Sequence, residues 1–148
     1  MSLDKTILVE AFRKRMDGER LPLLSLDEFF SNNAEEESIA PNQWGFGRPT
    51  LMEIWGNLRK VEEREDVKWV RVALHPDTEV GERDGGIVYE IAGDFIAICT
   101  TAKPSDIEQT ANCTQLCSDG VTSSFKSKWY SEIPAVPDGY RVLSLWWD

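Results

Sequence analysis

Val67-Lys68-Trp69-Val70-Arg71-Val72-Ala73-Leu74-His75 is the stretch that decides the fold. Val70, Val72 and Leu74 fall on one side of an extended chain; Val67, Trp69, Arg71, Ala73 and His75 fall on the other. Such alternation with β-branched residues predicts a strand, and Pro76 ends it. Immediately upstream, Thr50 and Glu53 have capping-box spacing, and Leu51, Ile54, Trp55, Leu58 and Val61 recur at helical intervals. A helix over 51–63 with one buried stripe follows. A helix running into a strand, with more strand signals beyond, sets the class as α+β.

Downstream, Asp77 to Gly86 reads as an acidic loop. Ile87 to Ala92 and Phe95 to Thr101 flank Gly93-Asp94, whose composition predicts a two-residue hairpin turn. That register pairs Ile91 with Ile96, Tyr89 with Ile98 and Ile87 with Thr100. It sends these apolar side chains to one core face and leaves the opposite face at most half covered. Lys103-Pro104-Ser105 opens a further helix, with Ser105 and Glu108 at capping-box spacing, ending between 112 and 116. Residues 118–139 are rich in Ser, Gly and Pro and read as a long loop. Tyr140 to Trp147 is apolar on both faces, so it belongs inside a sheet and not at its edge.

Upstream, Ile7, Leu8, Ala11, Phe12 and Met16 form a helical stripe over 4–16, and Gly18 stops it. Arg13-Lys14-Arg15 closes that helix, where cations complement the helix dipole without any appeal to nucleic acid. Ser25 and Glu28 form a capping box and Leu24 with Phe29 a hydrophobic staple, so a short helix starts at Ser25. It ends in Ser31-Asn32-Asn33, and residues 31–49 form a second long loop. The expected architecture is a single α+β domain over 1–148, ordered α-α-α-β-β-β-α-β. About four mainly antiparallel strands carry helices on one face. The expected core includes Trp55, Ile96, Ile98, Val142 and Leu145.

The 148 residues and 16.8 kDa suit one domain. No apolar run reaches the roughly 18 to 20 residues of a membrane span, and the N-terminus lacks the basic, apolar and small-residue stages of a signal peptide. Sixteen basic against 26 acidic residues give a net charge of −10, which disfavours broad attraction to nucleic acid or anionic lipid. Residues 1–25 hold five bases against four acids, so the negative charge lies beyond them, in Glu35-Glu36-Glu37, Glu62 to Asp66 and Asp77 to Asp84. These runs read either as a solubilising surface or as a docking face for a basic partner.

Three cysteines, Cys99, Cys113 and Cys117, are no disulfide framework, and reduced thiols in a cytoplasm are the expectation. With His75 they could form a four-ligand zinc set, but paired ligand spacing is lacking and no metal is expected. Gly45-x-Gly47 lacks the third glycine and preceding strand of a dinucleotide fingerprint, so no cofactor is expected either. In the loop Pro41 to Pro49, Trp44, Phe46 and Arg48 are residue types favoured at interface hot spots, although the rings could equally fold back to pin the loop. With one histidine, any Ser-His or Cys-His chemistry has to use His75. The leading expectation is therefore a small cytoplasmic protein that docks to a protein partner, in the antitoxin or immunity manner. Glu35, Glu36, Glu37, Trp44, Phe46 and Arg48 form its contact set. A small-ligand binder or an enzyme using Trp44 to Arg48 and His75 is the alternative.

Leu24-Ser25-Leu26-Asp27-Glu28-Phe29-Phe30, the Asn32-Asn33 turn and the closing Arg141-Val142-Leu143-Ser144-Leu145-Trp146-Trp147-Asp148 together resemble a family of small acidic uncharacterised bacterial proteins. The resemblance extends over roughly residues 20–148, with a helix leading into a Val-rich strand and a strand followed by a Pro-started helix. It implies no activity and carries over no catalytic residues.

Overall fold

The computed structural model describes residues 5–148; Asp4, the expected first residue of the first helix, lies outside them. Helix α1 covers Lys5–Arg15 and α2 Leu26–Phe30. Helix α3 covers Leu51–Glu62, α4 Pro104–Ala111 and α5 Cys113–Leu116. The strands are β1 Leu21–Pro22, β2 Val67–Leu74, β3 Glu79–Arg83, β4 Gly86–Glu90, β5 Gly93–Thr100, β6 Gly120–Thr122, β7 Tyr130–Ser131 and β8 Arg141–Trp146. Four of them form the central antiparallel sheet, in the order β2-β5-β8-β6.

Both helix-opening signals near the middle of the chain act as read. Ser25 Oγ accepts from Glu28 N and the Glu28 carboxylate accepts from Ser25 N, a complete capping box. Thr50 Oγ1 accepts from Glu53 N to start α3. The third signal is not used: α4 begins at Pro104, with Lys103 in the cap position and no side-chain cap. Proline at the first helical position needs no N–H partner, which makes the Ser105 hydroxyl redundant. Asn112 adopts the left-handed conformation (φ 56°) and breaks the expected single helix into α4 and α5.

The sheet has the expected four strands, but not the expected members. Gly93-Asp94 makes no hairpin turn; it opens β5, which pairs directly with β2, setting Ile96 opposite Val72 and Ile98 opposite Val70. The segment read as an acidic loop holds β3, which pairs with β4 across Asp84-Gly85 as a separate two-stranded ribbon. Both turn residues have positive φ, 52° and 80°, the geometry that matches the twist of a tight hairpin. The vacant place in the sheet goes to β6, a three-residue edge strand from the expected 118–139 loop. Strand β8 lies between β5 and β6, inside the sheet as its composition demanded.

All the helices pack on one face. There Phe12, Phe29, Phe30, Ile54, Leu58, Ile107 and Leu116 meet Val70, Val72, Leu74, Ile96, Ile98, Leu143 and Leu145 in the main core. The second face is covered more fully than expected, and no helix does it. Leu23, Trp69, Ala73, Ala97 and Cys99 form a second buried cluster, against which Phe95, Phe125, Tyr130, Ile133, Tyr140 and Val142 pack. The 125–140 segment thus acts as a strap, tied by Trp69 Nε1 donating to Ala135 O at 3.0 Å and by the parallel β1–β7 pair. Of the five expected core residues, Ile96, Ile98 and Leu145 are fully buried. Trp55 and Val142 are half-buried, and the Trp55 ring carries the Arg59 guanidinium at 3.9 Å.

Candidate functional site

Residues 35–50 are ordered by one buried side chain. Arg48 donates through Nη1 to Glu36 O (2.5 Å) and Ile39 O (2.6 Å), through Nε to Pro49 O (3.0 Å) and through Nη2 to Glu36 Oε1 (2.5 Å). Its guanidinium lies 4.5 Å from the Trp44 ring centroid. Burial pulls the Arg48 guanidinium below its ordinary pKa, and the Glu36 carboxylate opposes that pull. The same Glu36 oxygen accepts from Leu51 N at 3.1 Å, so it also serves an orphan donor at the start of α3. Arg48 has no exposed side-chain surface. It is an internal strut and not the partner contact its residue type suggested, and half-buried Trp44 walls it in.

What remains at the surface is simpler than the expected set. Glu35 and Glu37 are exposed, and Glu36 is half-buried by its internal work. Phe46, between Gly45 (φ 88°) and Gly47 (φ 115°), is 81% exposed. Met52, in the first turn of α3, is also exposed. The structure joins this platform to residues from elsewhere in the chain. Ile39 bridges Gly93 at the start of β5, taking the place beside it where β8 has already ended. Gln43 Nε2 donates to Asp148 O at 3.3 Å, and Asp148 N donates to Asp119 Oδ2 at 2.6 Å. Trp146, opposite Phe95 in the β5–β8 pair, is exposed beside them. These links bring the backbone around Asp94, Asp119, Trp146 and Asp148 to the same end of the sheet as the 35–48 segment. No local pattern marks them; only the pairing of β5 with β8 brings them together.

His75 stays within its own turn. Its Nδ1 accepts from Asp77 N at 2.9 Å, which leaves the neutral ring's proton on Nε2, and its backbone N donates to Ala92 O. No hydrogen bond or ion pair among the described residues links it to the 44–48 loop or to a serine or cysteine. Cys99 and Cys113 are buried and Cys117 half-buried. Burial pushes the Cys99 and Cys113 thiols above their ordinary pKa, so neither is a ready thiolate. Among the described residues no group of three His, Cys, Asp or Glu side chains is placed to hold a metal ion. Two shallow depressions of about 360 and 380 Å³, lined by 108–114 and 125–129, lie open to solvent. No helix among the described residues is long and apolar enough to cross a membrane.

The chain matches no curated protein and no solved structure. Residues 4–145 match the model of the uncharacterized protein YfbO family, and with nearly its whole length inside that match the chain belongs to this family.

Proposed function

We propose that the protein acts by docking to a basic protein partner through the 35–48 platform, as an antitoxin or immunity protein masks its target. The observation that supports this reading is Phe46, an 81% exposed ring on a loop held by the buried Arg48 strut. An exposed aromatic on a pre-ordered loop loses little freedom on binding, and so can serve as a desolvated anchor. Exposed Glu35 and Glu37, on the segment that the same strut pins, supply attraction to a basic surface. Trp44 acts indirectly, by holding Arg48. Three unpaired cysteines fit the reducing cytoplasm in which such a protein works.

The test is affinity capture from the native host with wild type, Phe46→Ala and the Glu35→Gln/Glu37→Gln pair, at low and high salt. A basic protein held by wild type, released by salt and lost from Phe46→Ala supports the reading. Equal retention by all three sinks it. A small molecule retained through purification favours ligand binding instead.

A further inference from the structure

Asp94 occupies an unusual position in the sheet. Along the β2–β5 ladder Ala73 pairs with Phe95 and Leu74 with Gly93, so Asp94 is the extra residue of a β-bulge. A bulge re-aims side chains, and bulges recur beside functional sites. The Asp94 carboxylate is half-buried yet has no hydrogen bond or ion pair among the described residues. Burial raises its pKa above the ordinary value, while the neighbouring His75 opposes the rise. On another side stands Tyr130, its hydroxyl pushed up to about 12 by burial, with the Asp94 charge adding to the effect. The Tyr130 ring meets Phe95 edge-on at 6.0 Å and stacks on Phe125 at 5.8 Å. A half-buried carboxylate without a partner weighs against stability. Among the described residues no hydrogen bond or ion pair compensates it; the neighbouring His75 only offsets part of the burial.

We propose that Asp94, backed by Phe95 and Tyr130, receives a guanidinium group from the basic partner. A planar guanidinium can donate two parallel hydrogen bonds to a carboxylate while lying against an aromatic ring, which an ammonium cannot do. The Ile39–Gly93 bridge joins the 35–48 segment to the backbone immediately before Asp94, at the same end of the sheet. This assignment rests on the docking reading and names a group that it must engage.

The probe is N-acetyl-arginine amide, with the neutral citrulline analogue as control, followed by NMR of the Asp94 carboxyl carbon and of the Gly93 and Phe95 amides. The arginine probe is expected to move all three, saturating in the millimolar range, and to lower the Asp94 midpoint; the citrulline probe leaves them unmoved. In Asp94→Asn the amide shifts should vanish while the melting temperature at pH 7 rises, the opposite of what a structural role predicts. An Asp94 carboxyl unmoved by arginine, or amide shifts that survive Asp94→Asn, overturns the assignment. That result leaves docking through Phe46 standing, whereas partner capture insensitive to Phe46→Ala removes docking even if Asp94 takes the probe.

Discussion

Arg48 and Glu36 show how a charge can be buried and still stabilise. Every direction in which the guanidinium points offers an acceptor, and two of those carbonyls belong to the segment it pins. Arg48→Ala should cost roughly 3 kcal/mol, the usual effect of breaking a buried charged pair. Arg48→Lys should recover little, because an ammonium cannot span four acceptors in a plane; urea midpoints of the two variants check this. Asp94 and Glu28 differ in sign. Burial works to raise the Glu28 carboxyl, but the Ser25 backbone hydrogen bond and Arg15 outweigh it and hold it below its ordinary 4.5. Glu28 therefore adds stability above that pH, and the contribution is lost as pH falls through its lowered folded value. For Asp94 the folded value lies above the ordinary 3.8, so the native state is disfavoured progressively as pH rises from there to the folded value, and constantly above it. Melting curves should show Glu28→Gln lowering Tm and Asp94→Asn raising it at pH 7, with both differences shrinking towards pH 3.

At the level of elements, the chain carries two hairpin-like dipeptides nine residues apart, Asp84-Gly85 and Gly93-Asp94, and only one turns. Asp84-Gly85 adopts positive φ at both positions, whereas Gly93 does not. Gly93 is required for a different reason: a Cβ there would sit 2.9 Å from Ile39 Cδ1 and 3.1 Å from the Phe29 ring. Gly93→Ala should therefore destabilise by about 1 to 3 kcal/mol through overpacking, with Ile39→Val in the same chain returning part of the loss in urea titrations. Leu145, fully buried between β5 and β6, should lose about 2 to 5 kcal/mol on truncation to alanine. Helices α1 to α3, strand β2 and the interior place of β8 were legible because caps, stripes and alternation are local. The two faces of β2 were legible from Trp69 onward: Val70, Val72 and Leu74 do face the helices, and Trp69 and Ala73 the strap, whereas Val67, read with Trp69, packs on the main core beyond a register shift. Partner choice was not. Glycine looks the same in sequence whether it serves a turn or a close approach, and polar residues 118–139 hide an edge strand and the cover of a whole sheet face. The platform followed the same rule. Exposed Phe46 was within reach of composition, but the burial of Arg48 and the arrival of Asp94 and Trp146 depend on contacts distant in sequence.

Over the whole molecule, the net charge of −10 acts at a different range from the anchor ring, so the two separate in kinetics. At physiological ionic strength the field of exposed acids reaches about 8 Å, enough to guide encounter but not to hold a complex. Converting Glu35 and Glu37 to glutamine removes charge while leaving the Arg48–Glu36 strut intact, so it should slow association and flatten its dependence on salt, with dissociation little changed. Phe46→Ala removes a desolvated contact formed only after encounter. It should leave association near wild type and speed dissociation about thirtyfold, the equivalent of roughly 2 kcal/mol for a true anchor. Trp44→Ala belongs with Arg48 and not with Phe46: it should lower the urea midpoint, because the ring shields the guanidinium. Stopped-flow or surface-binding traces with a purified basic partner, taken at several salt concentrations after wild-type melting of each variant is confirmed, separate the three effects. If Phe46→Ala alters neither rate constant while Trp44→Ala speeds dissociation without loss of stability, the ring beside Arg48 is the anchor and the exposed one is idle.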